Sequence, residues 1–179
     1  MEHRRVFVVG YMGVGKSSSG RRLASLMGLP FMDTDTKLRE RHQASIPDMF
    51  EQMGEAGFRE QEQRVLEQLV ESHRVALIST GGGLACHLGN MAFMRSHGTV
   101  VYLKMTAVQL AQRLRGKTDE RPLIAGVDPE ELEGVISQHL EQREKHYAQA
   151  HITVDAENLD SERMNSIRNL IEGNWGVSP

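Results

Sequence analysis

The chain has 179 residues, which suffices for one domain with a hydrophobic core that needs no cross-links. Its 21 Lys and Arg residues against 24 Asp and Glu residues give a formal net charge of −3, which argues against a protein that binds nucleic acid by neutralising phosphates. The single cysteine, Cys86, excludes an internal disulfide and is typical of a reducing cytoplasm.

The sequence pattern shows no membrane or export signal. No stretch approaches the roughly 20 apolar residues that cross a bilayer. The chain starts with basic residues, but the apolar run that follows spans only residues 6–9 and ends at Gly10 without a small-residue cleavage pattern. We therefore expect a cytoplasmic protein with no signal peptide and no membrane partner.

Five short apolar or β-branched runs, each closed by a turn-forming residue, predict the β-strands. In chain order they span residues 5–9, 30–33, 75–80, 99–105 and 151–155. The first, third and fourth are almost continuously apolar, which is typical of strands that are covered on both faces. Helical segments lie between these runs, and this alternation predicts an α/β domain with a mostly parallel sheet.

Residues with helical spacing fill the connections between the predicted strands. We expect helices over residues 17–27, 55–72, 128–148 and 158–173, and two or three helices within the long connection 36–71. Asp128 is a strong start signal, because Pro129 and two glutamates follow it. The polar segment 115–128 lacks a clean period, which is typical of a lid over a site, although an idle surface loop would give the same pattern.

A glycine-rich loop, GYMGVGKS at residues 10–17, matches the pattern G-x-x-x-x-G-K-[ST] between a predicted strand and a predicted helix. Its glycines let backbone N–H groups point at a phosphate, and the helix adds its positive end. We expect Lys16 to bridge the β- and γ-phosphates and Ser17 to ligate Mg²⁺. The alternative is a glycine-rich turn with a chance Lys-Ser pair. The loop in this context predicts binding of a nucleoside triphosphate.

Two aspartates, Asp33 and Asp35, stand at the end of the second predicted strand. In an extended segment, residues two apart face the same side, so both carboxylates can address one cleft. Carboxylates there suit the shell of Mg²⁺ and the acceptance of a hydroxyl proton. The alternative is that one of them only caps a helix starting near Thr36. No acidic residue follows the third strand, which makes Asp33 the better candidate for the metal shell.

Three consecutive glycines, residues 81–83, end the third predicted strand. They permit close approach of a ligand and expose backbone N–H donors, although a flexible turn would show the same residues. Arg59, Arg121 and Arg143 are candidate anion binders, since a guanidinium pairs with two oxygens of a carboxylate or phosphate. Exposed surface positions are the alternative, and spacing alone does not select these three.

Taken in order, these motifs resemble those of the shikimate kinases, a family of small P-loop enzymes related to nucleoside monophosphate kinases. They are the loop at 10–17, Asp-x-Asp at 33–35, Gly-Phe-Arg at 57–59, Gly-Gly-Gly at 81–83, Arg-Pro-Leu at 121–123 and Arg-x-x-x-Tyr at 143–147. The resemblance covers residues 4 to 172. It implies a P-loop NTPase fold in one domain over 1–179, with a central five-stranded parallel sheet flanked by helices. It also implies a substrate-binding insert at about 34–62, a lid at about 112–127 and a monomer.

The resemblance implies a nucleotide site and a metal site. The residues that would wrap the ATP phosphates are Gly13, Val14, Gly15, Lys16, Ser17 and Ser18. Ser17 would also ligate Mg²⁺, with Asp33 in the outer shell of the ion. Arg121, on the lid, would close over ATP and stabilise charge on the moving phosphoryl group, and Arg113 would lie near the adenine. Lys16, Asp35 and Arg121 would form the catalytic set.

The resemblance also implies an acceptor site. Asp35 would bind ring hydroxyls of shikimate and orient or deprotonate its 3-hydroxyl. Arg59 and Arg143 would pair with the shikimate carboxylate, and Gly81 and Gly82 would complete the site, Gly82 with a backbone donor. The implied reaction is ATP-dependent formation of shikimate 3-phosphate and ADP on the route to chorismate and the aromatic amino acids, without a nucleic-acid partner.

Two other functions remain open from the sequence. A P-loop kinase for another small acceptor, such as gluconate, belongs to the same class, but a polyol would not need Arg59 and Arg143 together. A nucleotide-binding switch that hydrolyses ATP slowly and signals to a protein belongs to a different class. Such a switch is expected to carry a sensor for the γ-phosphate, and beyond the predicted lid the sequence shows none.

Overall fold

The computed structural model describes residues 4–118 and 121–175. This part of the chain contains one parallel sheet of five strands: β1 (Arg4–Val9), β2 (Phe31–Asp33), β3 (Val75–Ser79), β4 (Thr99–Lys104) and β5 (Ile152–Asp155). Every predicted strand is confirmed, and each end lies within one residue of the prediction. The strand order is β2-β3-β1-β4-β5, which the sequence pattern could not supply.

Helices cover both faces of the sheet. Within the described residues they are α1 (Lys16–Met27), α2 (Thr34–His42), α3 (Ile46–Ser72), α4 (Asn90–His97), α5 (Ala107–Leu114), α6 (Leu132–Tyr147) and α7 (Ser161–Trp175). Successive residues of a strand point to opposite faces, so β1 contributes Val6 and Val8 to one core and Phe7 and Val9 to the other. Helices α1, α5, α6 and α7 pack on the first face, and α2, α3 and α4 pack on the second.

Helix α3 is longer than predicted and has a kink. It begins at Ile46 because Ser45 and Asp48 form a capping box, in which each side chain accepts a hydrogen bond from the other residue's backbone N–H at 3.2 Å. Gly54 interrupts the helix with φ 68° and ψ 175°. The connection after β2 therefore holds α2 and the two arms of α3, in agreement with the two or three helices expected there.

The predicted start of α6 is wrong by four residues. Asp128 does not begin the helix, because its Oδ1 accepts a hydrogen bond from the Glu130 N–H at 2.8 Å and closes a local turn. The helix starts at Leu132 instead, whose side chain is fully buried in the first core. The helix thus begins at Leu132, which is fully buried, and not at Asp128, which carries the capping signal.

The topology collects several loops at one edge of the sheet. In a parallel sheet all strands end at the same edge, so the segments after β1, β2 and β3 meet there. They carry the glycine-rich loop, the aspartate pair and the glycine run. Within residues 4–118 and 121–175, no helix has the length and apolar character needed to cross a membrane.

Candidate active site

The carboxyl ends of β1, β2 and β3 open into a cleft of about 1050 Å³. Most of the predicted site residues line it: Gly13, Gly15, Lys16, Ser17, Ser18, Asp33, Asp35, Arg59, Gly81, Gly82, Arg113 and Arg121. Val14 and Arg143 are not among the described residues that line the cleft. The fold thus brings nearly all of the predicted nucleotide and acceptor residues into one space.

The glycine-rich loop wraps tightly in front of α1. Gly13 and Gly15 adopt φ values of 81° and 97°, in the left-handed region that favours glycine. Lys16 is only 8% exposed, and its Nζ donates a hydrogen bond to the Tyr11 carbonyl at 2.9 Å. Burial lowers the pKa of Lys16 to about 8, opposed by the charge of Asp35. The ammonium is thus held by a neutral carbonyl, which a phosphate can replace.

Ser17 and Asp33 contact each other through their side chains. The Ser17 hydroxyl donates a hydrogen bond to Asp33 Oδ2 at 2.6 Å. The other oxygen of Asp33 accepts from the Thr36 N–H at 3.0 Å and caps α2. Asp33 is therefore a helix cap, as the alternative had it, and it also contacts Ser17. Hard oxygens on a carboxylate and a hydroxyl are the donor set that Mg²⁺ prefers.

Asp35 reaches the same cleft from a helix. The prediction that it extends the strand is wrong, because α2 already begins at Thr34 and places Asp35 in its first turn. Burial raises the pKa of Asp35, and the neighbouring charge of Asp33 raises it further. A Cβ on Gly81 would lie 2.8 Å from Asp35 Oδ1, so the missing side chain makes room for this carboxylate.

Arg59 lies in the second arm of α3, where two glutamates hold it. Its Nη1 is 2.6 Å from Glu62 Oε2, and its Nη2 is 3.1 Å from Glu55 Oε1. The Arg59 Nε is buried and finds no hydrogen-bond partner among the described residues. Burial opposes the charge of Arg59, but the two carboxylates together raise its pKa above the usual value.

Glu62 is a site residue that the sequence reasoning missed. It is 1% exposed, lines the cleft, and lies between Arg59 and the glycine run. Burial raises the pKa of Glu62 to about 7, although Arg59 acts in the opposite direction. A signal existed in the helical spacing, since Glu55 and Glu62 stand four residues before and three after Arg59.

The glycine run makes room for neighbouring groups as well as for a ligand. A Cβ on Gly83 would lie 2.7 Å from both terminal nitrogens of Arg59, and one on Gly82 would lie 2.9 Å from the Met12 nitrogen. The Gly81 N–H donates to Thr34 Oγ1 at 2.9 Å. A merely flexible turn would not need glycine at all three positions, so close packing explains this run better.

Arg143 stands on α6 and packs against the glycine-rich loop. Its guanidinium carbon lies 5.2 Å from the centroid of the Tyr11 ring, in a cation–π contact. The Arg143 Nη1 is buried and, within the part of the chain that the structure describes, has no hydrogen-bond partner. One turn further on, the Tyr147 hydroxyl donates to the Gly82 carbonyl. Helix α6 is thereby joined to both the loop and the glycine run.

Arg113 and Arg121 come from the predicted lid segment 112–127. Arg113 Nη1 donates to the Val14 carbonyl at 3.2 Å and ties α5 to the glycine-rich loop. Arg121 precedes a short 3₁₀ turn, Pro122–Ile124, and its buried Nε has no hydrogen-bond partner in residues 4–118 and 121–175. Two residues of the predicted lid, Asp119 and Glu120, lie outside the described residues.

Comparisons with known proteins agree on one family. The shikimate kinase family model matches residues 12–172. A shikimate kinase from Parabacteroides distasonis is 44% identical over 159 residues, which cover 89% of this chain and 91% of the relative. A 1.7 Å crystal structure of shikimate kinase from Bacteroides thetaiotaomicron has a TM-score of 0.85 at 35% identity, covering 97% of this chain and 99% of that chain.

A second solved structure carries a ligand. It is a shikimate kinase from Acinetobacter baumannii in complex with shikimate, with a TM-score of 0.85 at 35% identity over 96% of this chain and 94% of that chain. With a family model over most of the sequence and a relative at 44% identity, the chain belongs to the shikimate kinase family.

Proposed function

We propose that the chain transfers the γ-phosphoryl group of ATP to the 3-hydroxyl of shikimate and releases shikimate 3-phosphate and ADP. The observation that carries the proposal is one cleft that holds a phosphate loop, a half-buried carboxylate on Asp35 and a buried arginine, Arg59. Family membership supports the same reaction. The product would continue toward chorismate and the aromatic amino acids.

The phosphate loop would bind the nucleotide through its backbone N–H groups and Lys16. In the free protein Lys16 donates to the Tyr11 carbonyl, and we propose that it turns to the β- and γ-phosphates when ATP enters. Ser17 and Asp33 would hold Mg²⁺, Asp33 from the outer shell. When bound, the ion neutralises charge on the phosphate oxygens. Arg113 would lie near the adenine from its place beside Val14.

The acceptor would lie between Asp35 and the arginines. Asp35 would orient the 3-hydroxyl and accept its proton as the oxygen bonds to the γ-phosphorus, with ADP leaving on the opposite side. Burial raises the pKa of Asp35 toward neutral pH, and a proton acceptor is most efficient when its pKa lies near the working pH. Arg59 and Arg143 would pair with the acceptor carboxylate, and Gly81 and Gly82 would shape the floor of the site.

Arg121 would complete the site from segment 112–127. Its buried, unsatisfied Nε lies in the described part of the chain at the wall of the cleft. A guanidinium there would stabilise the charge on the transferring group. Closure of the segment would also keep water from competing with the acceptor. We further propose that one chain suffices for the reaction and that the enzyme works as a cytoplasmic monomer.

The test measures ADP release with MgATP alone and with shikimate, gluconate or a nucleoside monophosphate. We expect turnover that depends on shikimate, and we expect Asp35→Asn to lower kcat by at least about 100-fold while the affinity for MgATP stays nearly constant. Asp155→Asn is the matched control, because Asp155 also ends a strand but lies outside the cleft. Near-normal turnover of Asp35→Asn would remove Asp35 from the chemistry.

The other candidate functions give different results in the same assay. A gluconate kinase would respond to gluconate, and Arg59 and Arg143 would then need another ligand. A nucleotide switch would release ADP at full rate without any small acceptor. The presence of both Arg59 and Arg143 favours an acceptor that carries a carboxylate, since a polyol offers no charge to a guanidinium.

A further inference from the structure

Tyr11, the second residue of the glycine-rich loop, contacts two different parts of the site. Its backbone carbonyl accepts the hydrogen bond from Lys16. Its ring carries the guanidinium of Arg143 at 5.2 Å. The side chain is 1% exposed, and its hydroxyl lies 2.7 Å from Nδ1 of His139. No motif identified in the sequence includes a role for Tyr11 or His139.

The contacts from α6 form a set. His139 and Arg143 stand four residues apart on α6, so their side chains occupy one face of the helix. The first fixes the hydroxyl end of Tyr11 and the second packs on the face of its ring. A phenol held at its hydroxyl has little freedom to rotate, so the ring presents a fixed surface to the guanidinium.

Arg143 also interacts with Tyr147, and the ring of Tyr11 adds a restraint on the guanidinium. Its Nη1 is buried and donates no hydrogen bond to any residue that the structure describes. A cation–π contact uses the flat face of the guanidinium and leaves the N–H edges free for a carboxylate. A guanidinium that is fixed before the ligand arrives loses less conformational freedom on binding.

We infer that Tyr11 is a positioning residue: it holds Arg143 for the carboxylate of the acceptor and is itself held by His139. The inference rests on the proposed function, because it takes Arg143 as a ligand of that carboxylate. Lys16 binds the carbonyl of the same residue. Tyr11 therefore lies between the group that would bind the phosphates and the group that would bind the acceptor.

Steady-state kinetics of Tyr11→Leu and Tyr11→Phe test the role of the ring. Tyr11→Leu removes the aromatic face, and we expect the KM for shikimate to rise about five- to thirty-fold while the KM for ATP changes less than about two-fold. Tyr11→Phe keeps the face and loses only the hydroxyl contact, so the KM for shikimate should rise by about two- to five-fold.

A matched control and a double substitution make the test specific. Tyr102→Phe also removes a phenol hydrogen bond to α6, from Tyr102 to Glu144, and should leave both KM values within about two-fold. In an Arg143→Ala background, Tyr11→Leu should raise the KM for shikimate no further, because the group that it positions is gone.

Three results would overturn the inference. They are equal rises in the two KM values for Tyr11→Leu, equal values for the Leu and Phe variants, and effects that multiply in the Arg143→Ala background. If Tyr11→Leu does not fold, the double variant Tyr11→Phe with His139→Ala replaces it. Its KM for shikimate should equal that of each single variant, because all three lose the same hydrogen bond. A double variant whose rise in KM is the product of the two single rises would show that Tyr11 and His139 act independently. A chain whose unmodified form shows no shikimate-dependent turnover would overturn the proposed function and this inference together.

Discussion

Three ionisable side chains in the cleft have almost no contact with water. Lys16 is 8% exposed, Arg59 5% and Glu62 1%. Burial of a charge is unfavourable unless a partner compensates for it. Arg59 and Glu62 compensate each other, whereas Lys16 donates a hydrogen bond to a neutral carbonyl. Phosphates would therefore give the ammonium of Lys16 the charged partner that it lacks in the hydrogen bond to Tyr11.

We expect the affinity for ATP to fall as the pH rises through about 8. The pKa of Lys16 is lowered to about 8 by burial, so the ammonium is charged below that pH and attracts phosphate, and it becomes a neutral amine above it. Calorimetric titration from about pH 6.5 to about pH 9.5 should show a constant Kd at first and then a rise of at most about tenfold per pH unit.

The control for this titration is Lys16→Arg. A guanidinium stays charged over the whole range, so whatever its absolute affinity, this variant should lose the rise in Kd near pH 8. An unmodified protein with the same Kd at both ends of the range would show that Lys16 does not titrate there.

The sequence predicts those site residues whose type alone signals chemistry. A lysine after a glycine-rich loop and a carboxylate after a strand need no knowledge of packing, and both line the cleft. The sequence does not predict Glu62 as a site residue, because a glutamate three residues after an arginine is typical of an exposed ion pair on a helix. The Glu62 carboxylate lies against the glycine run that follows β3, which only the folded chain brings close.

At the scale of elements, local signals predict the strands better than the helix ends. Apolar runs closed by turn residues define all five strands within one residue. A helix starts where a polar side chain accepts a hydrogen bond from a backbone N–H of the first turn. The sequence contains more residues that could cap a helix in this way than the fold uses. Ser45 became a cap, while Asp128 closed a turn. The kink at Gly54 directly precedes residue 55, where the sequence predicts the start of a helix, so the predicted helix 55–72 corresponds to the second arm of α3.

We expect Gly54→Ala to lower the free energy of unfolding by about 1–3 kcal/mol, because φ 68° with ψ 175° is a conformation that only glycine adopts easily. The same change should raise the KM for shikimate. The two arms of α3 carry Phe50 and Arg59, whose ring and guanidinium lie 5.5 Å apart across the kink. Urea unfolding and steady-state kinetics measure the two effects.

Gly134→Ala is the matched control for the kink. At both glycines an added Cβ would meet no atom within 4 Å, so only the backbone conformation differs. Gly134 lies inside α6, and alanine there should raise the free energy of unfolding by about 0.5–1 kcal/mol. Similar destabilisation by both substitutions would show that the conformation of Gly54 is not what matters.

At the scale of the whole molecule, two segments meet across the cleft. The first arm of α3 contributes Ile46 and Pro47 to one wall, and Arg121 to Leu123 contribute to the other. The 3₁₀ turn Pro122–Ile124 also contacts α3 directly. The predicted insert and the predicted lid thus bound the same space, where a ligand would join them.

We expect shikimate together with a non-hydrolysable ATP analogue to slow amide hydrogen exchange in residues 112–127 by at least about tenfold. Arg121 would gain phosphate oxygens as partners and hold the segment over the cleft. Exchange mass spectrometry measures this, with α7 as the internal reference because it packs on the sheet away from the cleft.

Arg121→Ala separates closure from simple binding. This variant should still bind the analogue weakly but lose most of the protection in residues 112–127. If exchange in that segment is the same with and without both ligands, or if Arg121→Ala keeps the protection, then Arg121 does not close the site.

The central position of β1 also affects how the protein is made. Arg4 pairs with Val75 on one side, and Val6 pairs with Thr99 on the other. Both neighbours of β1 follow it in the chain, so during synthesis β1 emerges before either of them. Until β4 has left the ribosome, the apolar residues 6–9 have one or both strand edges open, and such edges promote aggregation. Translation speed and chaperones therefore affect the protein while the stretch from β1 to β4 is being made.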